Sequence, residues 1–454
     1  MIVWTADAVT TTLAIPAVGN MTFSHVSTDT RTLRDGALFV ALRGERFDAH
    51  DFLGQARDQG ATGAVVRMGT PPVKGLTLLE VHDPLEALGL LAKARRHMVS
   101  GPVVAVTGSN GKTSTKEMIA SVLQANWRVH ATRENLNNLV GVPLTILEAP
   151  DETEALVIEA GANQPGEIAR LRSIIDPYVS VITNVADAHL EGFGSLEGVM
   201  REKLALVRGV PLAVVGTKPA DLAARARSLA GRTVTAALDV FADVSPDSWS
   251  VGDRGHVTLM YRGHSVVLPV VGKHQATNAV IAIAVGVTIG VDAAAAVAAL
   301  QSVTVPKGRC QLIEEGGLAI LDDTYNANPS SLLAGLDAVR DIHYDRPVVV
   351  VVGSMLEMGA ATERAHREMA QAIVNEQPGL IGAVGDFVPA FAAFREALGD
   401  RLITADTPQA LGQAIRSRLN GNEFILLKAS RGVGLERAIP FLLSDDEATC
   451  STTS

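Results

Sequence analysis

Hydrophobic and polar residues follow a repeating strand–helix pattern over much of the chain. From residue 103, short runs rich in β-branched residues lead into segments whose apolar residues recur at helical spacing. The predicted strands are 103–106, 155–158, 179–183 and 212–215, and the predicted helices are 113–123, 166–175 and 196–207. This alternation predicts a parallel sheet covered by helices, with binding loops at the carboxyl ends of the strands.

Similar patterns lie on both sides of this region. The N-terminal one has predicted strands at 37–42, 63–66 and 76–81 and helices at 50–59 and 84–98. The C-terminal one has strands at 319–321, 348–352, 379–384 and 424–427, between helices such as 331–340 and 362–374. We therefore expect an α/β protein of three domains: a small N-terminal α/β domain at 1–98, a central domain at 99–312, and a doubly wound, Rossmann-like domain at 313–454.

The second half of the central domain changes character. Alternating polar and apolar residues at 251–271, around two turns that contain glycine, predict antiparallel hairpins. The almost wholly apolar stretch 279–300 imitates a membrane span, but Gly290 and Asp292 interrupt it, and Asp292 can cap a second helix. Neither half is long enough to cross a bilayer, so we expect two buried helices and no membrane insertion.

Composition excludes several classes of protein. The 454 residues carry a net charge of -10, which argues against a nucleic-acid partner, and 4% aromatic residues offer little for stacking bases. Cys310 and Cys450 are far apart and exclude a disulfide framework in practice. The first residues lack the basic and apolar regions of a signal peptide. We expect a cytoplasmic protein whose polar tail at 444–454 is disordered.

Residues 106–115, VTGSNGKTST, form the most specific motif, since they join a predicted strand to a predicted helix. Gly108 and Gly111 let the backbone direct its N–H groups at a bound phosphate, and the helix start adds its dipole. Lys112 can reach the β- and γ-phosphates, while the Thr113 hydroxyl can bind Mg²⁺. The loop is shorter than a standard P-loop, because Val106 stands where the first glycine belongs. The motif predicts nucleotide binding.

Two polar residues follow neighbouring predicted strands. Glu159 ends the strand beside the loop strand, and its carboxylate is a hard oxygen ligand that suits Mg²⁺. Alone it would be read as a solvated strand-end carboxylate, but the adjacent phosphate loop favours the metal. His189 lies in a loop after the strand 179–183. An exposed loop histidine and a metal or phosphate contact are equally good readings of it.

Lys203 interrupts the apolar face of a predicted helix, on which it lines up with Val199 and Met200. Its stem can lie along the core while its ammonium group reaches water. Alternatively, partial desolvation at a functional site favours the neutral, nucleophilic amine. Spacing alone favours the first interpretation.

Further polar residues lie near the boundary with the third domain and just after it. An acidic pair that includes Asp323 follows a strand and can hold ribose hydroxyls, while Asn326 and Asn328 offer donors and acceptors. For each of these residues, a purely structural role is at least as good an interpretation as ligand binding. Asn278 can be a helix N-cap, Arg309 can form an interdomain ion pair, and the two later asparagines can form Asx-turns.

Together these segments resemble the Mur ligase superfamily of amide-forming ligases over nearly the whole chain, and within it the MurF branch. The similarity rests on eight stretches: 27–31, 36–44, 47–51, 107–118, 135–145, 188–195, 323–329 and 353–359. The Asp-Asn-Pro-Arg signature of the diaminopimelate-adding branch is absent. Residues 275–277 and 353–354 differ from the commonest MurF sequence. These differences weaken the assignment of individual side-chain contacts more than the assignment of the family.

The resemblance implies an activity. Such an enzyme adds D-alanyl-D-alanine to a UDP-N-acetylmuramoyl tripeptide at the expense of ATP, through an acyl phosphate, during peptidoglycan precursor synthesis. The third residue of the tripeptide, meso-diaminopimelate or lysine, stays open. The N-terminal domain would bind the uridine nucleotide, the central domain ATP, and the C-terminal domain the dipeptide. A monomer is expected.

The resemblance also implies roles for individual residues. The ATP site would comprise Gly108, Ser109, Asn110, Gly111, Lys112, Thr113, Ser114, Asn278, Arg309 and Asp323. The other substrates would contact Ser27, Thr28, Asp29, Thr30, Arg31, Gly44, Asp48, His50, Asn137, Asn138, Asn326 and Asn328. Thr113 and Glu159 would hold one Mg²⁺, while His189 and a carbamoylated Lys203 would hold another. Lys112, His189 and Lys203 would serve catalysis directly.

Two rival hypotheses remain. The first is another ligase of the superfamily, but the segment 27–31 argues against the folate-modifying branch and the missing signature against the diaminopimelate-adding branch. The second is a switch-type nucleotide binder. The segment 217–221 nearly matches a guanine-reading motif, with its spacing wrong by one residue. A binder would not need Glu159, His189 and Lys203 near one loop, and it would release phosphate without an amine or carboxylate substrate.

Overall fold

A computed structural model describes residues 4–44, 46–342 and 346–443. The predicted tail at 444–454 lies outside these ranges. The described residues form three α/β units, each built on its own sheet and its own apolar clusters. The fold is therefore the predicted α/β architecture with mostly parallel sheets.

The N-terminal unit is a four-stranded parallel sheet, β3-β4-β5-β6, with a short antiparallel pair beside it. Its strands are β1 (Trp4–Thr5), β2 (Thr22–Phe23), β3 (Val26–Ser27), β4 (Ala37–Val40), β5 (Ala61–Arg67) and β6 (Thr77–Val81). Its helices are α1 (Ala6–Leu13), α2 (Leu53–Asp58) and α3 (Pro84–Arg96). Apolar clusters lie on both faces of the sheet.

One prediction in this unit is wrong. The segment 50–59 is not a single α-helix, because a 3₁₀ turn at Ala49–Phe52 precedes α2. The carboxylate of Asp48 accepts a hydrogen bond from the His50 backbone N–H at 3.0 Å, which starts the turn there. The Asp48 cap therefore starts a separate 3₁₀ turn in a segment whose apolar spacing predicted one continuous α-helix.

The central unit holds a six-stranded parallel sheet in the order β12-β11-β10-β7-β9-β8, and a three-stranded antiparallel sheet, β13-β14-β15. The strands are β7 (Val103–Thr107), β8 (Val129–Ala131), β9 (Ala155–Glu159), β10 (Val179–Ile182), β11 (Leu212–Val215), β12 (Arg232–Thr235), β13 (Ser248–Val251), β14 (His256–Tyr261) and β15 (His264–Val271). The helices are α4 (Lys112–Leu123), α5 (Gly141–Leu147), α6 (Glu167–Ile175), α7 (Leu190–Phe193), α8 (Leu196–Leu204), α9 (Leu222–Arg227), α10 (Lys273–Thr288) and α11 (Ala293–Ala299).

The alanine-rich stretch divides into two helices as predicted. The Asp292 carboxylate accepts hydrogen bonds from the backbone N–H groups of Ala294 and Ala295 at 2.9 and 3.2 Å, which starts α11. The helix α10 is buried between the two sheets of the central unit and lies against α4. None of the helices in the described ranges combines the length and apolar composition that crossing a bilayer requires.

The C-terminal unit is a six-stranded sheet in the order β16-β17-β21-β18-β19-β20, parallel except for β16. The strands are β16 (Gln311–Glu315), β17 (Leu318–Asp323), β18 (Val348–Val352), β19 (Leu380–Ala383), β20 (Leu402–Thr404) and β21 (Phe424–Lys428). The helices are α12 (Pro329–Asp341), α13 (Thr362–Asn375), α14 (Phe387–Ala390), α15 (Arg395–Leu398), α16 (Pro408–Arg416) and α17 (Ile439–Leu443). Apolar clusters cover both faces, as in a doubly wound fold.

Candidate active site

A loop with two left-handed glycines joins β7 to α4. Gly108 and Gly111 have φ angles of 153° and 77°, which glycine adopts without the clash of a Cβ atom. A Cβ at Gly111 would lie only 2.5 Å from Oδ1 of Asn278 on α10, so the loop also needs glycine for close packing. Because Gly111 is the N-cap of α4 and has no side chain, the first amides of the helix are free to face an anion.

The loop is held in place by residues that follow β10. Thr183 Oγ1 donates a hydrogen bond to the Asn110 carbonyl oxygen at 2.5 Å, and Asn184 Nδ2 donates to the same oxygen at 3.1 Å. Asn184 Oδ1 accepts from the Asn110 backbone N–H at 3.1 Å. The sequence stretch around His189 was predicted to bind ligand, but the supporting role of Thr183 and Asn184 was missed. Their position directly after a strand was the available signal.

Lys112 is half-buried, with its ammonium group turned onto the loop. Its Nζ donates hydrogen bonds to the carbonyl oxygens of Gly108 at 2.9 Å and Ser109 at 3.3 Å. Burial lowers the pKa of Lys112, and the nearby Glu159 carboxylate opposes that shift. The Lys112 ammonium group therefore lies where the oxygens of a bound phosphate are expected.

Thr113, Glu159 and Asn137 form a buried polar cluster at the ends of β9 and the loop. Thr113 Oγ1 donates to Glu159 Oε2 at 2.7 Å, and Asn137 Nδ2 donates to Glu159 Oε1 at 2.8 Å. Both carboxylate oxygens are thus oriented, and Glu159 is 2% exposed. The alternative of a solvated strand-end carboxylate is wrong. A hydroxyl beside an oriented carboxylate is the hard-oxygen chemistry that Mg²⁺ prefers.

Lys203 lies inside the protein, on α8. The residue is 1% exposed, and its Nζ makes no hydrogen bond to any residue that the structure describes. Burial, followed by the charge of Lys112, lowers the Lys203 pKa to about 7. The interpretation that its ammonium group reaches water is therefore wrong. The Nζ lies 5.9 Å from the Phe193 ring centre, and that ring contacts the His189 ring edge-on at 6.5 Å.

His189 contacts the C-terminal unit. Its Nδ1 lies 2.5 Å from Oε2 of Glu357, a close contact whose geometry falls outside ordinary hydrogen-bond angles. The imidazole holds the pKa of Glu357 below its ordinary value, although burial of the carboxyl group opposes that effect. Sequence reasoning missed Glu357, whose signal was its place soon after β18, within the stretch 353–359.

A second interdomain contact reaches the loop directly. Asn328 Nδ2 donates to Asn110 Oδ1 at 2.8 Å, while Asn110 Nδ2 donates to Ser330 Oγ at 2.6 Å. Asn328 is also the N-cap of α12, since its Oδ1 accepts from the Ser331 backbone N–H at 2.9 Å. The C-terminal unit is therefore closed against the phosphate loop. The Asx-turn proposed for Asn328 is a helix cap instead.

The segment that joins the central and C-terminal units carries Arg309. Its guanidinium carbon stacks 3.7 Å from the Tyr325 ring centre, and that of Arg431 lies 5.4 Å from the same ring. Tyr325 was not predicted, although it stands within the stretch 323–329. No ion pair of Arg309 is found in the described residues, so the proposed interdomain salt bridge is not the arrangement observed.

Asp323 forms a buried ion pair at the end of β17. Its Oδ2 lies 2.5 Å from Nζ of Lys428, which ends β21 and also donates to the Asn326 carbonyl oxygen at 3.0 Å. The preceding residue, Asp322, has a raised pKa because it is buried. Lys428 was missed, although it follows a predicted strand. Asn278 lies within α10, so its predicted N-cap role is wrong.

These residues meet in one cleft between the central and C-terminal units, with a volume of about 1130 Å³. The predicted residues that line it are Ser109, Asn110, Gly111, Lys112, Thr113, Ser114, Asn137, Asn138, Glu159, His189, Asn278, Arg309, Asp323 and Asn326. Three predicted residues are not among those that line it in the described ranges: Gly108, Lys203 and Asn328. The structure therefore brings most of the predicted ATP and metal residues together.

A second cleft, of about 960 Å³, lies in the N-terminal unit and is lined in part by Thr28, Asp29, Thr30, Arg31 and Gly44. Ser27, Asp48 and His50 are not among its lining residues in the described chain. His50 is engaged within the unit, since its Nδ1 lies 2.6 Å from Asp48 Oδ1 and its Nε2 accepts from the Arg67 backbone N–H at 3.0 Å. We read Asp48 and His50 as supports of the cleft wall.

A phosphate loop and an oriented carboxylate that face a third unit across one cleft define a nucleotide-dependent transferase or ligase site. Family models match three segments: the "Mur ligase family, catalytic domain" at 22–96, the "Mur ligase middle domain" at 106–286 and the "Mur ligase, glutamate ligase domain" at 308–431. The chain belongs to the Mur ligase family.

Within that family the chain is MurF-like. It is 35% identical to the UDP-N-acetylmuramoyl-tripeptide–D-alanyl-D-alanine ligase of Bacillus subtilis, over 96% of this chain and 97% of that one. The Escherichia coli ligase of the same name is 38% identical, over 78% and 79% of the two chains. Among solved structures, MurF from Acinetobacter baumannii superposes with a TM-score of 0.87 at 30% identity, over 98% of this chain and 99% of that one. MurF ligase from Thermotoga maritima in complex with ADP gives 0.82 at 28% identity, over 92% and 96%.

Proposed function

We propose that this chain is an ATP-dependent ligase that adds D-alanyl-D-alanine to a UDP-N-acetylmuramoyl tripeptide, forming a peptide bond in peptidoglycan precursor synthesis. The observation that carries the proposal is the cleft in which the phosphate loop, Glu159 and the C-terminal unit meet. The similarity to ligases of that name, which extends over nearly the whole chain, supports the substrate assignment. We place the reaction in the cytoplasm, and we expect a monomer.

The reaction has two steps. The terminal carboxylate of the tripeptide attacks the γ-phosphorus of ATP, the bond to the bridging oxygen breaks, and ADP leaves with that electron pair. The amine of D-alanyl-D-alanine then attacks the carbonyl carbon of the acyl phosphate, loses a proton and expels inorganic phosphate. Both steps bring anions together, so Lys112 and the amides at the start of α4 are positioned to offset the charge.

The residues in the cleft fit a magnesium ion. Thr113 and Glu159 provide adjacent oxygens, although no cluster of three His, Cys, Asp or Glu side chains suited to a metal occurs in the described ranges. A magnesium ion bound there would offset the charge of the phosphates and align them. The remaining ligands would therefore come from water, from phosphate oxygens or from a modified side chain.

Lys203 is the candidate for that modification. Its Nζ is buried and unpartnered, and the pKa lowered to about 7 makes the neutral amine that carbamoylation requires accessible near neutral pH. Reaction with CO₂ joins the amine nitrogen to carbon and releases one proton, which leaves an anionic carbamate with two oxygens. We propose that this carbamate and His189, which both lie near the Phe193 ring, hold a second magnesium ion.

We propose a division of labour among the units 1–98, 99–312 and 313–454. The cleft of the N-terminal unit would bind the uridine nucleotide with the stretch Thr28–Arg31 and Gly44, next to which Ser27 stands in the chain. The central unit would hold ATP, with Asn278, Arg309 and Asp323 toward the adenosine. Asn137 and Asn138 would face the tripeptide, while Asn326 and Asn328 would face the dipeptide. The interdomain contacts of Asn110 support a closed arrangement that keeps water from the acyl phosphate.

The test is phosphate release by the purified chain, with ATP, D-alanyl-D-alanine and each UDP-N-acetylmuramoyl tripeptide, one with meso-diaminopimelate and one with lysine. We expect stoichiometric formation of pentapeptide and phosphate only when all three substrates are present. Lys112→Ala should abolish it, since the loop loses its cation, whereas Lys74→Ala, an exposed lysine of the N-terminal unit, should not. Phosphate release without either peptide substrate would contradict the proposal.

A further inference from the structure

We propose that Glu357 is a positioning residue, which orients the His189 imidazole so that closure of the C-terminal unit completes the site. The inference rests on the proposed function, and it concerns a carboxylate that the reaction scheme does not otherwise use. Glu357 lines the cleft together with His189 and Lys112. It comes from the loop after β18, whereas His189 comes from the loop after β10, so the pair forms only when the two units meet.

Backbone geometry on both sides of the contact is unusual. His189 has a φ of 53° and Glu357 a φ of 64°, both in the left-handed region that is unfavourable for residues with a side chain. Such strain persists only where surrounding contacts stabilise it. Both residues have this backbone conformation and touch across the domain boundary, so the contact holds two unfavourable conformations together.

The surrounding contacts fix the two loops against each other. The Glu191 backbone N–H donates to the Glu357 carbonyl oxygen at 3.2 Å, and a Cβ at Gly359 would lie 3.1 Å from the Glu191 Cα. The Glu357 side chain is therefore placed by backbone contacts on both sides of it. A side chain that merely covered the surface would not need this close approach.

The chemistry of the pair follows from the atom that Glu357 meets. A carboxylate at Nδ1 favours the tautomer that carries its proton on Nδ1, which leaves the lone pair on Nε2 free to act as a ligand. In an open arrangement Glu357 would leave, and the ring would be free to rotate and to change tautomer. Glu357 thus couples closure to the presentation of Nε2, and no proton is transferred.

The competing explanation is a simple latch, in which Glu357 holds the two units together without affecting the imidazole. The two roles differ in what they predict. A latch predicts weaker dipeptide binding with an unchanged kcat and an unchanged His189 tautomer. A positioning residue predicts a lower kcat, unchanged nucleotide affinity, and no further loss once His189 has been removed.

The experiment compares Glu357→Ala, Glu357→Gln, His189→Ala and the double variant of Glu357→Ala with His189→Ala. The matched control is Glu363→Ala, which removes a carboxylate that is 82% exposed from the same unit. We expect Glu357→Ala to lower kcat about 10–100-fold, which is the usual loss when a residue that orients a metal-binding side chain is removed. Glu357→Gln should keep most of the activity, because its amide oxygen can still face Nδ1 and favour a proton there. The double variant should match His189→Ala.

A second measurement does not depend on catalysis. In protein labelled with ¹⁵N at histidine, the resonances absent from His189→Ala identify that ring, and their shifts report its tautomer. We expect the Nδ1–H tautomer in the wild type and in Glu363→Ala, and its loss in Glu357→Ala. An unchanged tautomer in Glu357→Ala, or additive losses in the double variant, would overturn the inference. Failure of wild-type ligation would instead refute the proposed function, and the tautomer result would still stand.

Discussion

The Thr113 hydroxyl donates a 2.7 Å hydrogen bond to Oε2 of Glu159, and this bond joins the first helical turn after the phosphate loop to the end of the neighbouring strand. Both groups are buried, and the second carboxylate oxygen is oriented by Asn137. The geometry explains why a strand-end carboxylate beside a phosphate loop is a better metal ligand than an isolated one. The bond keeps the carboxylate facing the place where β- and γ-phosphates would lie.

Removing that carboxylate should affect metal-dependent turnover most. We expect Glu159→Ala to lower ATP-dependent ligation by more than about 100-fold. Removing a residue that only orients a metal ligand already lowers activity by about 10–100-fold, and Glu159 is proposed to be a ligand itself. The measurement is pentapeptide formation over a range of Mg²⁺ concentrations. Thr113→Ser keeps the hydroxyl and should retain activity. An Mg²⁺ dependence that is the same in Glu159→Ala and wild type would show that Glu159 is not a ligand.

Asn328 has two functions that one substitution can separate. Asn328→Ala removes both the N-cap of α12 and the donor to Asn110, so it should lower the free energy of unfolding by about 1 kcal/mol. Asn328→Asp keeps an acceptor for the cap but loses the donor. We expect it to preserve stability, measured by denaturant unfolding, while raising the KM for the dipeptide. Equal stability losses in the two variants would contradict this division.

Tyr325 should contribute to nucleotide affinity through Arg309. The ring stacks against the guanidinium at 3.7 Å, and such contacts contribute about 0.5–2 kcal/mol. We expect Tyr325→Ala to weaken ADP binding, measured by calorimetry, by a factor that corresponds to this range. Tyr325→Phe keeps the aromatic face and should bind ADP as the wild type does. Weakened binding in Tyr325→Phe would instead indicate a role for the hydroxyl.

Carbamoylation of Lys203 should depend on pH in a defined direction. Because its pKa is lowered to about 7, the amine is mostly protonated below that pH and mostly neutral above it. With ¹³C-labelled bicarbonate, we expect a carbamate carbon resonance that grows as the pH rises from about 6 to about 8. The signal should be absent from Lys203→Ala, while Lys74→Ala should retain it. A wild-type spectrum without the resonance at pH 8 would refute the modification.

Local sequence rules predicted the elements well where burial and spacing agree. The β-branched runs before Thr107 and Glu159 are strands because both faces of the sheet are covered, and their ends place polar residues at one edge. The N-cap predicted for Asn278 is wrong because α10 begins earlier, at Lys273, after a left-handed Gly272. Asn278 is therefore buried within the second turn of the helix rather than placed at its start.

Contacts between distant parts of the chain could not be predicted from local sequence patterns. Spacing showed that Lys203 interrupts an apolar face, but only the packed structure shows that its amine is enclosed rather than solvated. Likewise, Glu357 and Lys428 become site residues only when strands far apart in sequence meet, at His189 and Asp323. The residue type at a strand end identifies a candidate site residue. Which side chain it contacts depends on how the three units pack together.

Lys112 already makes two hydrogen bonds to the Gly108 and Ser109 carbonyl oxygens. An incoming ligand must therefore outcompete neutral acceptors that are permanently within reach of the ammonium group. An anionic oxygen gains most by that exchange, because its negative charge attracts the ammonium group in addition to the hydrogen bond that a carbonyl oxygen already accepts. The loop is thus expected to favour a polyphosphate over uncharged molecules of similar shape, whatever base the nucleotide carries.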